Sequence, residues 1–230
     1  ICIHNVNWFF CFINLLNCKI MNYPILSSLI LLPSIGALFL FFTKTNKENN
    51  LTVKYVALFT SLVNFFLSIY LWILFDQSTS EFQFVEDRVW IEGLINYKVG
   101  IDGISILFII LTTFITPLCI ISVNNSIKNR LSEFLIAILI MESFMIGVFC
   151  SLDLVVFYLF FEAGLIPMFL IIGIWGGPKR VYSAFKFFLY TLLGSVLMLV
   201  AIISIYWITG TTDVIQLYEL GIDAKYQNLL

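Results

Sequence analysis

Residues 152–175 read LDLVVFYLFFEAGLIPMFLIIGIW, with Glu162 close to the middle of the run. Folded as an α-helix, this stretch measures roughly 35 Å, which is enough to cross a hydrocarbon layer of about 30 Å. Glu162 is then expected near the middle of the membrane, where inserting an acidic side chain costs about 2.5–3.5 kcal/mol. Because such acids normally face a bundle interior or water, the position indicates an ion or proton path.

A proline follows in the same predicted helix. Pro167 has no N–H, so the carbonyl of Ala163, beside Glu162, loses its helical hydrogen-bond donor. Water or a neighbouring helix has to satisfy that carbonyl. Ala163 and Gly164 add a small-residue surface that favours close helix contact. The sequence therefore predicts a helix that packs closely around a hydrated acid.

The composition defines the class. The chain is 61% hydrophobic and 11% charged, with a mean hydropathy of +1.02, which is typical of an all-α polytopic membrane protein. The net charge of −2, without a basic stripe, predicts no nucleic-acid partner. The five cysteines show no CxxC spacing, and there is one histidine, so we predict neither a metal site nor a disulfide framework. No nucleotide-binding, haem or iron–sulfur motif occurs, so no cofactor is expected in this chain.

Hydropathy predicts four parts. Residues 1–21 form an N-terminal extension, which we expect to be interfacial because its apolar run is broken by asparagines. Residues 22–123 hold three spans and an outer loop at 76–100, residues 124–208 hold three more spans, and residues 209–230 form a tail. The spans are predicted at about 22–42, 54–75, 103–123, 132–150, 152–174 and 185–208.

Basic residues in the loops predict the orientation. If the spans alternate, most fall on one side and place the 76–100 loop and both chain ends on the opposite, outer side: Lys44, Lys47, Lys54, Lys128, Arg130, Lys179, Arg180 and Lys186. Within the outer loop, Phe82–Val85 and Val89–Ile91 alternate apolar and polar residues, which predicts a short β-hairpin turning at Glu86–Arg88. Asp102, before the third span, is expected to be an N-cap.

A second acid lies in the preceding span. Glu142 and Glu162 each stand 11 residues into their spans, near the middle of consecutive antiparallel helices. We expect them to share a water-filled pocket and to act as a proton relay, because a lysine that moves near a membrane carboxylate changes its proton affinity. The alternative is that each acid hydrogen-bonds a polar side chain and only fixes helix packing.

Four segments carry a family resemblance: FFEAGLIPMFLIIGIWGGPKR at 160–180, FKFFLYTLLGSVLML at 185–199, VGIDGISILFIILTTFITPLCI at 99–120 and WILFDQSTSEFQFVE at 72–86. They resemble subunit 4 of mitochondrial NADH:ubiquinone oxidoreductase, respiratory complex I, especially its plant and protist forms. The resemblance extends from Met21 to Leu230.

The resemblance implies an antiporter-like subunit of the membrane arm, located in the mitochondrial inner membrane and coupling NADH:ubiquinone oxidoreduction to proton translocation. Glu162 corresponds to the family's central glutamate, which pairs with a lysine on a seventh helix. Glu142 matches an acid present in some relatives. FMN, iron–sulfur clusters and ubiquinone are expected in other subunits, and the implied partners are other membrane-arm subunits and lipids such as cardiolipin.

One departure from the family is large. Its members have about fourteen helices, including two inverted five-helix repeats, whereas six are predicted here. We therefore expect a split subunit whose remaining helices, with the partner lysine, lie on a second polypeptide. Two other functions stay open: a subunit of a multi-subunit sodium/proton antiporter, and a structural scaffold of the membrane arm that does not pump.

Overall fold

A computed structural model describes residues 24–42, 50–91, 95–123, 127 and 130–220. Within these ranges six helices are long and apolar enough to cross a membrane, which confirms the predicted spans. The predicted extension at 1–21 lies outside the described residues. The membrane helices are α1 (Ile25–Phe42), α2 (Asn50–Leu74), α3 (Gly103–Ser122), α4 (Leu131–Cys150), α5 (Leu154–Trp175) and α6 (Arg180–Thr209), followed by a short α7 (Val214–Leu220).

Several helix ends differ from the hydropathy boundaries because a helix continues beyond the hydrocarbon layer. Helix α6 begins at Arg180, five residues before the predicted start of its span. It ends at Thr209 and is capped by Gly210, whose φ of 76° lies in the left-handed region and whose N–H donates to the carbonyl of Tyr206. Asp102 is the N-cap of α3, as predicted, and accepts a hydrogen bond from the Ser105 N–H at 2.6 Å.

The first four membrane helices form the core, and the last two are added beside it. Apolar side chains of α1–α4 fill two buried clusters, represented by Leu29 and Ile109 in one and by Leu40 and Leu139 in the other. Helix α5 packs on α4, and α6 packs on α5. The buried share of the helix accordingly falls from 50% in α4 to 17% in α5 and 11% in α6.

The predicted hairpin exists, but its predicted turn is wrong. Strand β1 (Gln83–Ile91) pairs antiparallel with β2 (Ile95–Ile101), and Asp87 lies opposite Lys98 in the middle of the sheet. Glu86–Arg88, assigned to the turn, is therefore part of β1. The sequence signal for the second strand is the alternation of large apolar residues at Ile95, Tyr97, Val99 and Ile101, the residues that precede α3.

The hairpin ties together helix ends on one side of the bundle, an arrangement we call the clasp: the hairpin, residues 151–153 and residues 212–214. The Leu152 N–H donates to the Lys98 carbonyl at 2.9 Å, and the Val214 N–H donates to the Leu152 carbonyl at 2.9 Å. The clasp thereby connects the end of α4, the start of α5 and the end of α6. These ends meet on one side, as alternating spans require.

Charged side chains secure the clasp. Lys98 Nζ lies 2.5 Å from Asp213 Oδ2, with both side chains 14% exposed. Asp153, only 3% exposed, caps α5 by accepting from the Val155 N–H at 2.8 Å, and its Oδ2 accepts from the Thr212 hydroxyl at 2.6 Å. The beginning of the predicted outer-side tail at 209–230 is therefore packed against the hairpin. Residues 221–230 lie outside the described residues.

Glu86 attaches the hairpin to the first membrane helix. Its Oε1 accepts from the Leu26 N–H at 2.8 Å, and both of its oxygens accept from the Ser27 N–H at 3.3 Å. The Ser27 hydroxyl also bonds Glu86 and lies 3.2 Å from the Tyr97 hydroxyl. Burial, more than any other influence, raises the pKa of Tyr97. A carboxylate 60 residues away thus caps α1, where it also complements the helix dipole.

Replacing Glu86 by glutamine should weaken this attachment. An amide keeps one acceptor oxygen but loses the charge and the second acceptor, so we expect Glu86→Gln to lower the free energy of unfolding by about 1 kcal/mol. Thermal denaturation of the assembled protein, followed by tryptophan fluorescence, measures the change. Glu81→Gln, at an exposed loop position, is the control and should melt as the parent does. If the parent, Glu86→Gln and Glu81→Gln proteins unfold at the same temperature, Glu86 does not stabilise the protein as a helix cap.

Candidate functional site

Glu142 lies at the centre of the four-helix core. Its side chain is 2% exposed, and Oε1 accepts a hydrogen bond from Asn64 Nδ2 on α2 at 2.8 Å. Within the described part of the chain, Glu142 Oε2 and Asn64 Oδ1 have no hydrogen-bond partner. A buried polar atom without a partner costs about 1–3 kcal/mol, so this pair is a candidate site for chemistry or for a structural role.

Small polar side chains continue from Glu142 across the middle of the core. The hydroxyls of Ser68 and Thr113 are 2.7 Å apart, and the Ser34 hydroxyl donates to Ser143 Oγ at 2.7 Å. We call this set the polar seam: Ser34, Asn64, Ser68, Thr113, Glu142 and Ser143. Except for Glu142, sequence reasoning missed it. The available signal was the presence of Asn64 and Ser68, one helical turn apart, in an otherwise apolar span.

Glu162 lies in α5 and is partly buried, and its Oε2 is buried without a described partner. Pro167 is buried in the same helix, which continues through it to Trp175. Neither Glu162 nor Pro167 contributes to the polar seam.

Helix geometry shows which neighbour Glu162 faces. A Cβ built on Gly164 would lie 3.8 Å from Phe144 of α4, so Gly164 faces α4. Glu162 is two residues away, which places it about 200° around the helix. Gly173 lies eleven residues beyond Glu162, on the same side, and a Cβ there would be 3.6 Å from Ala184 of α6. Glu162 therefore faces α6.

The opposing surface of α6 is polar at the depth of Glu162. Because α5 and α6 run antiparallel and Gly173 opposes Ala184, eleven residues in each helix bring Glu162 level with Ser195. Ser195 is 2% exposed, and Thr191 lies one turn away on the same side. Both hydroxyls donate to carbonyls of their own helix, which leaves their oxygen lone pairs as acceptors.

No described cation faces Glu162. Lys186 is two residues from Ala184, so it points away from α5, and its side chain is exposed. The resemblance implies that Glu162 pairs with a lysine. Among the residues that the structure describes, the glutamate of this pair is present but the lysine is not.

The two acids do not share a pocket, contrary to the sequence prediction. On α4 the residues that face α5 are Phe144 and Gly147, which stand about 200° and 140° around the helix from Glu142. Phe144 and Phe160 fill the contact between α4 and α5, with ring centroids 6.5 Å apart. Glu142 therefore lies on one side of this aromatic layer and Glu162 on the other.

Gly147 makes this close packing possible. A Cβ at that position would lie 2.6 Å from the Phe160 ring, so Gly147→Ala should overpack the contact and lower the free energy of unfolding by about 1–3 kcal/mol. Gly194→Ala is the matched control, since it is also in a membrane helix but a Cβ there meets nothing within 4 Å. Thermal denaturation should separate the two variants. A Gly147→Ala protein as stable as the control would show that α4 and α5 are packed more loosely.

The six membrane helices of the described residues, with the buried and unpartnered Glu162 Oε2 in α5, are those of a polytopic membrane protein that holds an acid within a span. Residues 151–230 match the family described as NADH:quinone oxidoreductase/Mrp antiporter, TM. This range contains Glu162, Pro167 and all of α5 and α6.

Individual relatives match more of the chain. It is 60% identical over 164 residues to NADH-quinone oxidoreductase subunit M of Rhodobacter capsulatus, covering 71% of this chain and 32% of the relative. It is 47% identical over 210 residues to NADH-ubiquinone oxidoreductase chain 4 of Marchantia polymorpha, covering 90% of this chain and 42% of the relative. A chain in the structure of respiratory complex I from Thermus thermophilus with bound NADH superposes with a TM-score of 0.69 at 27% identity, covering 82% and 38%.

These similarities confirm the resemblance inferred from the sequence. Over more than two thirds of its length the chain is similar to NADH-ubiquinone oxidoreductase chain 4 and to bacterial NADH-quinone oxidoreductase subunit M. It spans less than half the length of the relatives it matches.

Proposed function

We propose that this chain forms part of a proton-translocating membrane-arm subunit of respiratory complex I, in which Glu162 binds and releases the transported proton. The complex would couple NADH:ubiquinone oxidoreduction to proton movement across the membrane. FMN, the iron–sulfur clusters and ubiquinone would lie in its other subunits. The observation that carries the proposal is the unpartnered Glu162 Oε2 in the interior of α5.

The chemistry of a proton site follows from that unpartnered oxygen. An ionised carboxylate in an apolar region is costly unless a cation or water stabilises it, whereas the protonated acid is much less so. Water beside Glu162 would find acceptors in Thr191, Ser195 and the Ala163 carbonyl that Pro167 deprives of its helical donor. A cation that approaches and withdraws would then bias Glu162 towards releasing and binding its proton.

That cation would come from outside the described residues. The open side of α6 carries exposed residues such as Tyr190, Leu193 and Leu197, which further helices of the subunit would cover. We propose that one of them brings a lysine towards Glu162. That these helices lie on a second polypeptide stays a prediction.

We infer the location and the partners of the subunit from the same relatives. We place the subunit in the mitochondrial inner membrane, because the chain is 47% identical to the chain 4 protein of Marchantia polymorpha. Other membrane-arm subunits would be its protein partners, and lipids such as cardiolipin would cover the exposed apolar faces of its helices.

A sodium/proton antiporter subunit is the main alternative, since the matched family includes Mrp antiporters. Identities of 60% and 47% to subunits of NADH-quinone and NADH-ubiquinone oxidoreductases favour complex I. Co-purification of the chain with flavin-containing and iron–sulfur subunits would support complex I, and its isolation with antiporter subunits alone would support the alternative.

Glu162→Gln is the direct test of the proton site. Glutamine keeps the size and can hydrogen-bond but cannot exchange a proton, so we expect an assembled complex whose proton uptake per NADH oxidised falls by at least about tenfold. Glu133→Gln, an exposed acid at the start of α4, is the control and should pump as the parent does. If the assembled complex with Glu162→Gln pumps normally, this chain would instead be a structural scaffold that takes no part in pumping.

Orientation is a separate prediction. We expect Ser80→Cys, in the loop before the hairpin, to react with an impermeant maleimide from the intermembrane side, and Lys179→Cys to react from the matrix side. Both positions are exposed, whereas Lys98 is held by its ion pair and would label poorly. Labelling each variant in intact mitoplasts and in inverted membranes measures the two directions. The reverse pattern would overturn the orientation predicted from the basic loops.

A further inference from the structure

The polar seam contains a hydrogen-bonding problem that an ionised Glu142 does not solve. Asn64 Nδ2 already donates to Glu142 Oε1, and the second oxygens of both side chains, Asn64 Oδ1 and Glu142 Oε2, are buried without a described partner. If Glu142 is ionised, its Oε2 and the Asn64 Oδ1 are both hydrogen-bond acceptors, so neither can satisfy the other. A hydrogen-bond donor is required between α2 and α4.

The surrounding hydroxyls are already committed as donors elsewhere. Ser61 donates to the Leu58 carbonyl at 3.0 Å, and Ser143 donates to the Ile30 carbonyl. Ser68 and Thr113 bond to each other and to carbonyls of their own helices. Each hydroxyl has one hydrogen to donate, so the neighbours of Glu142 have none to spare for it.

A compensating cation is also missing from the described core. The one basic residue in helices α1–α4 is Lys54, which donates to the Ile121 carbonyl at 3.3 Å. It is ten residues from Asn64 along α2, a separation of about 15 Å. An ionised Glu142 would therefore be a buried charge without an opposite charge beside it, which is among the most costly arrangements in a protein interior.

We propose that Glu142 is a neutral acid that holds its proton on Oε2 and donates it to Asn64 Oδ1. Together with the bond already present from Asn64 Nδ2 to Glu142 Oε1, this makes a paired acid–amide ring. One bound proton then satisfies both unpartnered oxygens. This proton site is separate from Glu162, and it keeps its proton while the transported proton moves elsewhere. Glu142 is thus a positioning residue that fixes α2 to α4.

The proposal does not depend on the function of Glu162 and predicts a distinctive set of variants. Glutamine has the shape of the neutral acid, and its NH2 group would donate to Asn64 Oδ1, so Glu142→Gln should assemble and pump within about twofold of the parent. Glu142→Leu matches the size but leaves Asn64 without partners, so the amount of assembled complex should fall by about tenfold. Both are measured as complex yield, NADH oxidation and proton uptake in membranes.

Infrared spectroscopy tests the proton itself. In the purified complex, a carbonyl band of a protonated carboxylic acid should be present at rest, disappear in Glu142→Gln and stay unchanged during turnover. The proposal of a neutral Glu142 paired with Asn64 is overturned if the complex with Glu142→Gln fails to assemble or loses pumping. It is equally overturned if the parent and Glu142→Gln show the same protonated-acid bands, since Glu142 would then be ionised and hydrogen-bonded through water.

Discussion

The Asp153 carboxylate joins the start of α5 to the residues that follow α6. With Oδ1 it caps the first turn of α5, and with Oδ2 it holds Thr212, which follows the end of α6. The depth of Glu162 is thereby set, because nine residues of helix after Asp153 correspond to about 13 Å. The segment that contains Asp153 is in turn hydrogen-bonded to β2 of the hairpin through Leu152. The hairpin is therefore part of the frame that positions the membrane acid.

A membrane bundle has to satisfy its polar atoms internally, and in the described residues the buried side-chain oxygens without a partner lie in two separate places. In the core of α1–α4 the polar seam is buried except at Ser34, which suits a group that keeps its proton. Beside α5 the second acid faces one helix that is only 11% buried and is therefore open to further partners. The aromatic contact of Phe144 with Phe160 keeps the two places apart. Two glutamates in neighbouring membrane helices thus have different surroundings, from which we infer different chemistry.

The sequence predicted the features that depend on composition and periodicity. The membrane helices, the cap at Asp102 and the position of Glu162 in α5 follow from hydropathy and local chemistry. The prediction that Glu142 and Glu162 share a pocket was wrong, because the position of a residue along a helix does not determine the direction in which its side chain points. That direction became evident only from the contacts of Phe144, Gly147 and Gly164. The clasp was missed for a related reason: Lys98 and Asp213 are 115 residues apart, and their pairing depends on how the helix ends converge.

The same reasoning explains why an acid in a membrane helix is not by itself a sign of proton transport. Glu142 is the more deeply buried of the two, yet its amide partner and the enclosed seam give a proton no described route onward. Glu162 is less buried, Pro167 removes the helical hydrogen-bond donor of the neighbouring Ala163 carbonyl, and hydroxyl oxygens of α6 lie at the level of Glu162. A relay needs a group that can both gain and lose a proton within reach of others. By that criterion the more exposed acid is the better candidate, since it faces α6, which is only 11% buried and can receive further partners.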